Sequence, residues 1–176
     1  MAGFVYQLNI SRGGVPKRPI PHATLTERGL AGDGHNDRRS HGQPGQAVCL
    51  WALEVIELLS AEGHDLWPGC TGENITTSGI DWKQMVPGVR LQIGAEALIE
   101  LTDYASPCWK NACWFNDGDF NRINQRVHPG VSRLYALVLK TGEIHQSDSI
   151  ELIDEAAGDR LARQQIRTYR WPRDFR

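Results

Sequence analysis

The sequence predicts a mainly β fold: a closed or nearly closed β-barrel with a few short helices. Several short segments alternate apolar and polar residues with the period of a half-buried strand. Glycine is frequent, at 18 of 176 residues, and supplies the turns that short strands need. Helical periodicity is clear in one segment before the C-terminal tail. A chain of this length can bury a real core and is most economically one domain with an appendage.

The first predicted elements are a strand and a helix. GFVYQLNIS is the strand, and the Gly13-Gly14 pair with Pro16 ends it. In WALEVIELLSAEG the apolar residues recur at i, i+3, i+4 and i+7, which predicts one buried helix face ending near Gly63. The residues of that face are Ala52, Val55, Ile56 and Leu59.

The later elements are strands. VRLQIG and ALIEL carry an apolar residue at every second position, which indicates two half-buried strands. These positions are Val89, Leu91 and Ile93 in the first, and Ala97, Ile99 and Leu101 in the second. LYALVLKTGEIHQSDSIELI predicts a strand, a turn and a strand, with Thr141-Gly142 as the hairpin turn.

Composition and charge limit the classes of function. Charged residues make up 23% and the apolar set 40%, with a formal charge of −2, so nothing suggests a nucleic-acid or acidic-membrane partner. No apolar run approaches the roughly 18 residues of a membrane span, and the N-terminus lacks the features of a secretory signal. We therefore expect a cytoplasmic protein. Because cytosolic thiols are held reduced, we do not expect a structural disulfide between Cys108 and Cys113.

Two regions of different composition are expected. Residues 1–155 form the barrel domain, and residues 156–176 form an arginine-rich C-terminal helical tail that Pro172 ends. The tail either packs Leu161 and Ile166 on the barrel as an ordinary solvated helix or holds an anionic ligand or partner.

A glycine-rich loop, GLAGDGHNDRRSHG, covers residues 29–42. Glycines such as Gly32 let backbone N–H groups approach a ligand closely, and Arg38 and Arg39 carry planar donor forks for phosphate or carboxylate. Asp33 and His41 are the other polar candidates. The spacing is not that of a P-loop, so the segment alone fits a structural turn as well as a ligand loop.

Two further segments carry candidate chemistry. In GCTGENITTSGI, Glu73 and Asn74 follow a glycine turn, where they either cap backbone groups or line a site. In SPCWKNACWF, Cys108 and Cys113 are each followed by tryptophan, and Lys110 lies close by. A nearby cation favours the thiolate, which binds soft metals and attacks sulfur. A zinc site completed by His41 or Cys70 is the alternative, although no C-x-x-C pair supports it.

These segments, together with AVCLW and VRLQIGAEALIELT, occur in the order found in the MOSC domain, which the chain resembles from about Val15 to Ile153. That domain takes its name from the C-terminal region of molybdenum cofactor sulfurases and also occurs as stand-alone bacterial proteins. Its GxxGD, HG and GENxT motifs match Gly29 to Asp33, His41-Gly42 and Gly72 to Thr76. The resemblance implies a strand-rich barrel and a cysteine, here Cys108, that binds molybdenum or handles sulfur.

The resemblance also implies a cofactor and a set of site residues. The cofactor is the molybdenum cofactor (molybdopterin), with Cys108 as metal ligand and catalytic residue. The resemblance also implies binding of a molybdenum ion and of pyridoxal phosphate. The expected cofactor-binding residues are Gly32, Asp33, Arg38, Arg39, His41, Glu73, Asn74 and Lys110. Tyr104 and Ala105 occupy the positions where many relatives carry an arginine before the cysteine.

Three functions remain open at this stage. The first is a molybdenum-cofactor-dependent oxidoreductase that reduces N-hydroxylated or related small molecules. The others are a sulfur carrier that passes a Cys108 persulfide to a metal centre, and a non-catalytic cofactor-binding module. A separate electron or sulfur donor protein and a small-molecule substrate are the expected partners. Cys49, Cys70, Cys113 and the tryptophans are expected to pack in the core or around Cys108, with Cys113 as a resolving thiol in the alternative.

Overall fold

The computed structural model describes residues 3–34 and 44–153. That part of the chain contains eleven β-strands and one α-helix. The strands are β1 Gly3–Ile10, β2 Arg18–Ile20, β3 His22–Thr26, β4 Gly29–Leu30, β5 Val48–Ala52, β6 Ile75–Ser78, β7 Arg90–Ile93, β8 Ala97–Tyr104, β9 Leu134–Lys140, β10 Gly142–His145 and β11 Ser149–Leu152. The helix α1 is Leu53–Ala61, and short 3₁₀ helices are Pro44–Gln46, Trp82–Gln84, Trp109–Trp114 and Phe120–Ile123.

Seven strands form a closed barrel, which confirms the predicted fold class. They follow the order β11-β7-β8-β9-β5-β6-β1, and pairing of β1 with β11, at Gly3 opposite Ile150, closes the ring. Neighbouring strands are antiparallel except β5 and β6, which are parallel. Strand β2 extends the sheet beyond β1, and β10, β3 and β4 form a separate small sheet. Closure leaves the barrel strands without an unpaired edge.

The strand predictions that depended on alternation are confirmed. In β8 the side chains of Ala97, Ile99 and Leu101 are fully buried, and β1 and β7 begin and end close to their predicted limits. Strand β5 shows no alternation, because all of its residues from Val48 to Ala52 are buried. A short, uniformly apolar strand of this kind has no period that distinguishes it from a helix.

Helix α1 is confirmed with one change at its start. Val55, Ile56 and Leu59 are buried on its inner face as predicted. Ala52 instead ends β5 and precedes the helix with extended backbone. Gly63, with φ of +97°, follows the last turn, where a left-handed conformation is common.

The predicted hairpin at Thr141-Gly142 is wrong. Strand β9 pairs with β5 and β8, whereas β10 leaves the barrel and pairs with β3, with Gly142 opposite Leu25. The partner of β10 lies more than a hundred residues earlier in the chain, so local turn chemistry carries no information about this pairing. Within residues 3–34 and 44–153, no helix is long and apolar enough to cross a membrane.

Candidate functional site

A pocket of about 130 Å³ brings together segments that are far apart in the sequence. The GEN segment contributes Gly72 and Asn74, and the cysteine segment contributes Cys108 and Lys110. Its other residues include Gly14, Lys17, Gly34, Cys49, Asn111, Arg133 and Tyr135. Three basic side chains and no carboxylate line the pocket among the described residues, so it favours an anionic ligand.

Asn74 and Asp33 connect the start of the glycine loop to two barrel strands. Asn74 Nδ2 donates to Asp33 Oδ2 at 2.8 Å, and Asn74 Oδ1 accepts from the backbone N–H of Cys49 at 3.1 Å. Asp33 also accepts from the backbone N–H of Ser11 at 2.9 Å and forms an ion pair with Lys17. Asn74 lines the pocket directly, whereas Asp33 supports it by holding the Lys17 ammonium. Gly32 and Asp33 are not themselves lining residues.

Glu73 lies beneath the pocket wall rather than in it. Its carboxylate is fully buried and accepts hydrogen bonds from the backbone N–H of Gly69 at 2.5 Å and from Thr71 Oγ1 at 3.0 Å. Burial raises the pKa of Glu73 above its ordinary value, although these hydrogen bonds act in the opposite direction. The residue therefore fixes the shape of the turn from Gly69 to Thr76.

Cys108 is an exposed thiol at the pocket, directly before the 3₁₀ helix Trp109–Trp114. Its carbonyl oxygen accepts the backbone N–H of Asn111 at 2.9 Å, and this bond starts that helix. The helix brings Lys110 to the same pocket. Cys108 and Lys110 therefore line the same pocket, and the role predicted for each stays a prediction.

The expectation that Cys113 and the tryptophans form a packing shell is wrong in two of three cases. Cys113 is exposed, and Trp109 is 72% exposed, because the short helix runs over the surface. Trp114 is partly buried and packs edge-to-face on Trp67, with ring centroids 5.6 Å apart. Cys49 and Cys70 are buried as predicted.

The sequence reasoning missed Arg133. This arginine is only 6% exposed, lines the pocket and donates from Nη1 to the carbonyl oxygen of Thr71. Its Nε is buried without a hydrogen-bond partner, and Asn111 Oδ1 is also buried without one. The sequence feature that could have pointed to Arg133 is its position: it is a charged residue directly before the strongly apolar strand LYALVLK.

Cys49 and Tyr135 form a second, more buried part of the pocket. They face each other as paired residues of β5 and β9. Burial raises the pKa of the Cys49 thiol to about 11 and that of the Tyr135 hydroxyl to about 12. Both groups therefore keep their protons at neutral pH.

The zinc alternative has no support in the described part of the chain. Among residues 3–34 and 44–153, no three His, Cys, Asp or Glu side chains lie close enough to hold a metal ion. The predicted site residues Arg38, Arg39 and His41 fall outside the described residues, and so does the tail, residues 156–176.

A strand-rich barrel is the architecture that the resemblance implied. A sequence model of the MOSC domain matches residues 37–151, and the chain belongs to this family. Protein YiiM of Escherichia coli strain K12 is 29% identical to it over 141 residues, which are 76% of this chain and 60% of that protein. The chain therefore spans about 60% of the length of that relative.

Solved structures share the fold. The crystal structure of YiiM from Escherichia coli matches with a TM-score of 0.66 at 24% identity, over 88% of this chain and 70% of that one. The YUAD protein from Bacillus subtilis matches with a TM-score of 0.67 at 16% identity, over 86% of this chain and 96% of that one.

Proposed function

We propose that this MOSC protein binds the molybdenum cofactor through the Cys108 thiolate and reduces small N-hydroxylated or related molecules. The observation that carries the proposal is the composition of the pocket. An accessible thiol stands among three cationic side chains, with no carboxylate lining the described pocket. A soft thiolate suits molybdenum, and the cations suit the negative charge of a pterin phosphate.

The residues present fit this cofactor. Cys108 would hold the metal, and Lys110 with Arg133 would balance the anionic part of the cofactor. The Lys17 charge is offset by its ion pair with Asp33, so its ammonium would contribute hydrogen bonds rather than net charge. When bound, the cofactor supplies two-electron redox chemistry, and the protein supplies a ligand, orientation and electrostatics.

The chain also offers a hydrogen-bond donor to the group that leaves in the reduction. Conversion of an N-hydroxy group to the amine consumes two electrons and two protons and releases water. The Tyr135 hydroxyl lines the pocket, and burial raises its pKa to about 12, so it is a hydrogen-bond donor rather than an acid that ionises. Tyr135 Oη would donate a hydrogen bond to the departing hydroxyl, and both protons would come from solvent. The electrons would come from a separate donor protein.

Pyridoxal phosphate fits the pocket less well. That cofactor binds a lysine amine as a Schiff base, which requires an uncharged amine with room to react. The buried lysine of the pocket, Lys17, is in an ion pair with Asp33. The other pocket lysine, Lys110, is exposed, so a Schiff base formed there would be open to hydrolysis by water.

The test is a combined measurement on the full chain produced in cofactor-competent cells. Molybdenum content, intact mass and reduction of benzamidoxime to benzamidine by a reduced viologen dye are measured on the same preparation. Metal with turnover supports the proposal. A persulfide mass increase on Cys108 without metal indicates the sulfur carrier, and metal without turnover indicates the binding module; either result overturns the reductase.

A further inference from the structure

Thr71 connects the buried carboxyl group of Glu73 to the guanidinium of Arg133. The hydroxyl of Thr71 donates to Glu73 Oε2 at 3.0 Å, and the carbonyl oxygen of Thr71 accepts from Arg133 Nη1. Thr71 and Arg133 line the pocket, whereas Glu73 does not and is fully buried. Glu73 therefore acts on the pocket through Thr71 rather than by touching a ligand.

The turn that carries Thr71 is held on both sides. Glu73 Oε1 accepts from the backbone N–H of Gly69 at 2.5 Å, and the N–H of Gly72 donates to the carbonyl oxygen of Gly69 at 3.2 Å. Gly72 has a φ of +97°, and a Cβ there would lie 2.7 Å from Val15 Cγ1. Because the backbone packs this closely and glycine alone fits it without strain, the Thr71 carbonyl has a fixed direction.

The bond to Thr71 also decides which nitrogen of Arg133 is left for a ligand. Nη1 is bonded to Thr71, and Nε is enclosed by the protein. Nη2 is not enclosed in this way and makes no hydrogen bond with any residue that the structure describes. Arg133 lines the pocket, so Nη2 is the nitrogen that reaches it. A guanidinium is planar, and fixing Nη1 therefore fixes the direction of Nη2 as well.

We infer that Glu73 and Thr71 are positioning residues that aim Arg133 Nη2 at an anionic group, of the phosphate type, in the pocket. The inference rests on the proposed function only where that group is identified as the phosphate of the cofactor. An arginine held in place before binding loses less conformational entropy when it meets an anion. The Glu73–Thr71 bond thus contributes to anion affinity although neither side chain carries positive charge.

The test measures the dissociation constant of inorganic phosphate on the full, molybdenum-free chain by phosphorus NMR titration. Thr71→Val removes the hydroxyl and keeps the backbone carbonyl, and it should weaken phosphate binding about fivefold. Thr71→Ser restores the hydroxyl and should recover most of that affinity. The matched control is Thr24→Val, because exposed Thr24 also donates to a glutamate, Glu143, outside the pocket. It should bind phosphate as the wild type does.

The same substitution in the Arg133→Met chain separates positioning from a general loss of structure. Arg133→Met should itself weaken phosphate binding, and adding Thr71→Val should then change the dissociation constant little, because the side chain to be aimed is gone. Because Thr71 is buried, Glu73→Gln is measured as a second variant. It cannot accept from both Gly69 and Thr71, so it should weaken phosphate binding in the wild-type background and not in the Arg133→Met chain.

The outcomes distinguish this inference from the proposed function. Equal losses in both backgrounds, no loss in Thr71→Val and Glu73→Gln, unchanged binding in Arg133→Met, or no phosphate binding by the wild type would overturn the inference. Molybdenum content is measured separately on chains from cofactor-competent cells. A wild type without molybdenum whose phosphate affinity follows the expected pattern would refute the proposed function and support the positioning role.

Discussion

The backbone N–H of Ala105 donates a hydrogen bond to the carbonyl oxygen of Arg133 at 2.9 Å. This bond joins the start of the cysteine segment to the residue that precedes β9. Arg133 is itself only 6% exposed and lines the pocket with Cys108. The bond therefore ties the segment that carries the exposed thiol to the residue that supplies the buried guanidinium.

Arg133 also stabilises the fold. Arg133→Met would leave the buried carbonyl oxygen of Thr71 without its donor, and we expect the free energy of unfolding to fall by about 1–3 kcal/mol. Urea denaturation measures the change. Arg28→Met, at an exposed position, is the matched control. A loss for Arg133→Met no larger than for the control would show that the Thr71 bond contributes nothing.

The contributions of Lys17 and Asp33 to the free energy of unfolding should be strongly coupled. Both side chains are nearly buried, at 8% and 2% exposure, so removing one partner leaves an uncompensated buried charge. In a double-mutant cycle with Lys17→Met and Asp33→Asn, we expect a coupling energy of about 1–3 kcal/mol from urea denaturation. If the losses of the two single variants add up to that of the double variant within about 0.5 kcal/mol, the two residues do not stabilise the fold through each other.

Glu73 should make stability fall as the pH rises. Because burial raises its pKa in the folded state, the folded chain holds the proton more tightly than the unfolded chain does. Its favourable contribution is complete below the unfolded-state pKa of about 4.3 and is lost as the pH rises through the folded-state value.

Glu73→Gln removes this titration. Between about pH 4 and pH 7, its free energy of unfolding should therefore decrease less than that of the wild type. Chemical denaturation at several pH values measures both slopes, and the exposed replacement Glu57→Gln serves as the control. Parallel curves for Glu73→Gln and the wild type would contradict the raised pKa.

The four cysteines should differ in reactivity. Cys108 and Cys113 are exposed, whereas burial raises the pKa of Cys49 to about 11 and that of Cys70 to about 12. Iodoacetamide at pH 8 should therefore add two groups to the native metal-free chain and four to the unfolded chain, as counted by intact mass. Peptide mapping identifies the sites. Rapid native labelling of Cys49 would contradict its burial.

Features set by local periodicity were predictable, and those set by long-range pairing were not. The alternation in β8 and the apolar face of α1 predicted those elements, because each depends on residues within one segment. The pairing of β10 with β3 joins residues more than a hundred positions apart, so no single segment indicates it.

The site residues also divide into those that local sequence indicated and those that only the folded chain brings together. Motif resemblance located Cys108 and Asn74, which line the pocket, but Arg133 reaches it only because β9 lies between β5 and β8. Cys113 was expected in the core because cysteine is usually buried; the surface course of the 3₁₀ helix exposes it.

The most direct test of the Cys108 assignment is molybdenum content by elemental mass spectrometry, on chains produced in cofactor-competent cells. The wild type is compared with Cys108→Ala and with Cys113→Ala, which removes the other exposed thiol. We predict close to one molybdenum per chain in the wild type and in Cys113→Ala, and almost none in Cys108→Ala. Equal metal in all three chains, or none in the wild type, would contradict Cys108 as the ligand.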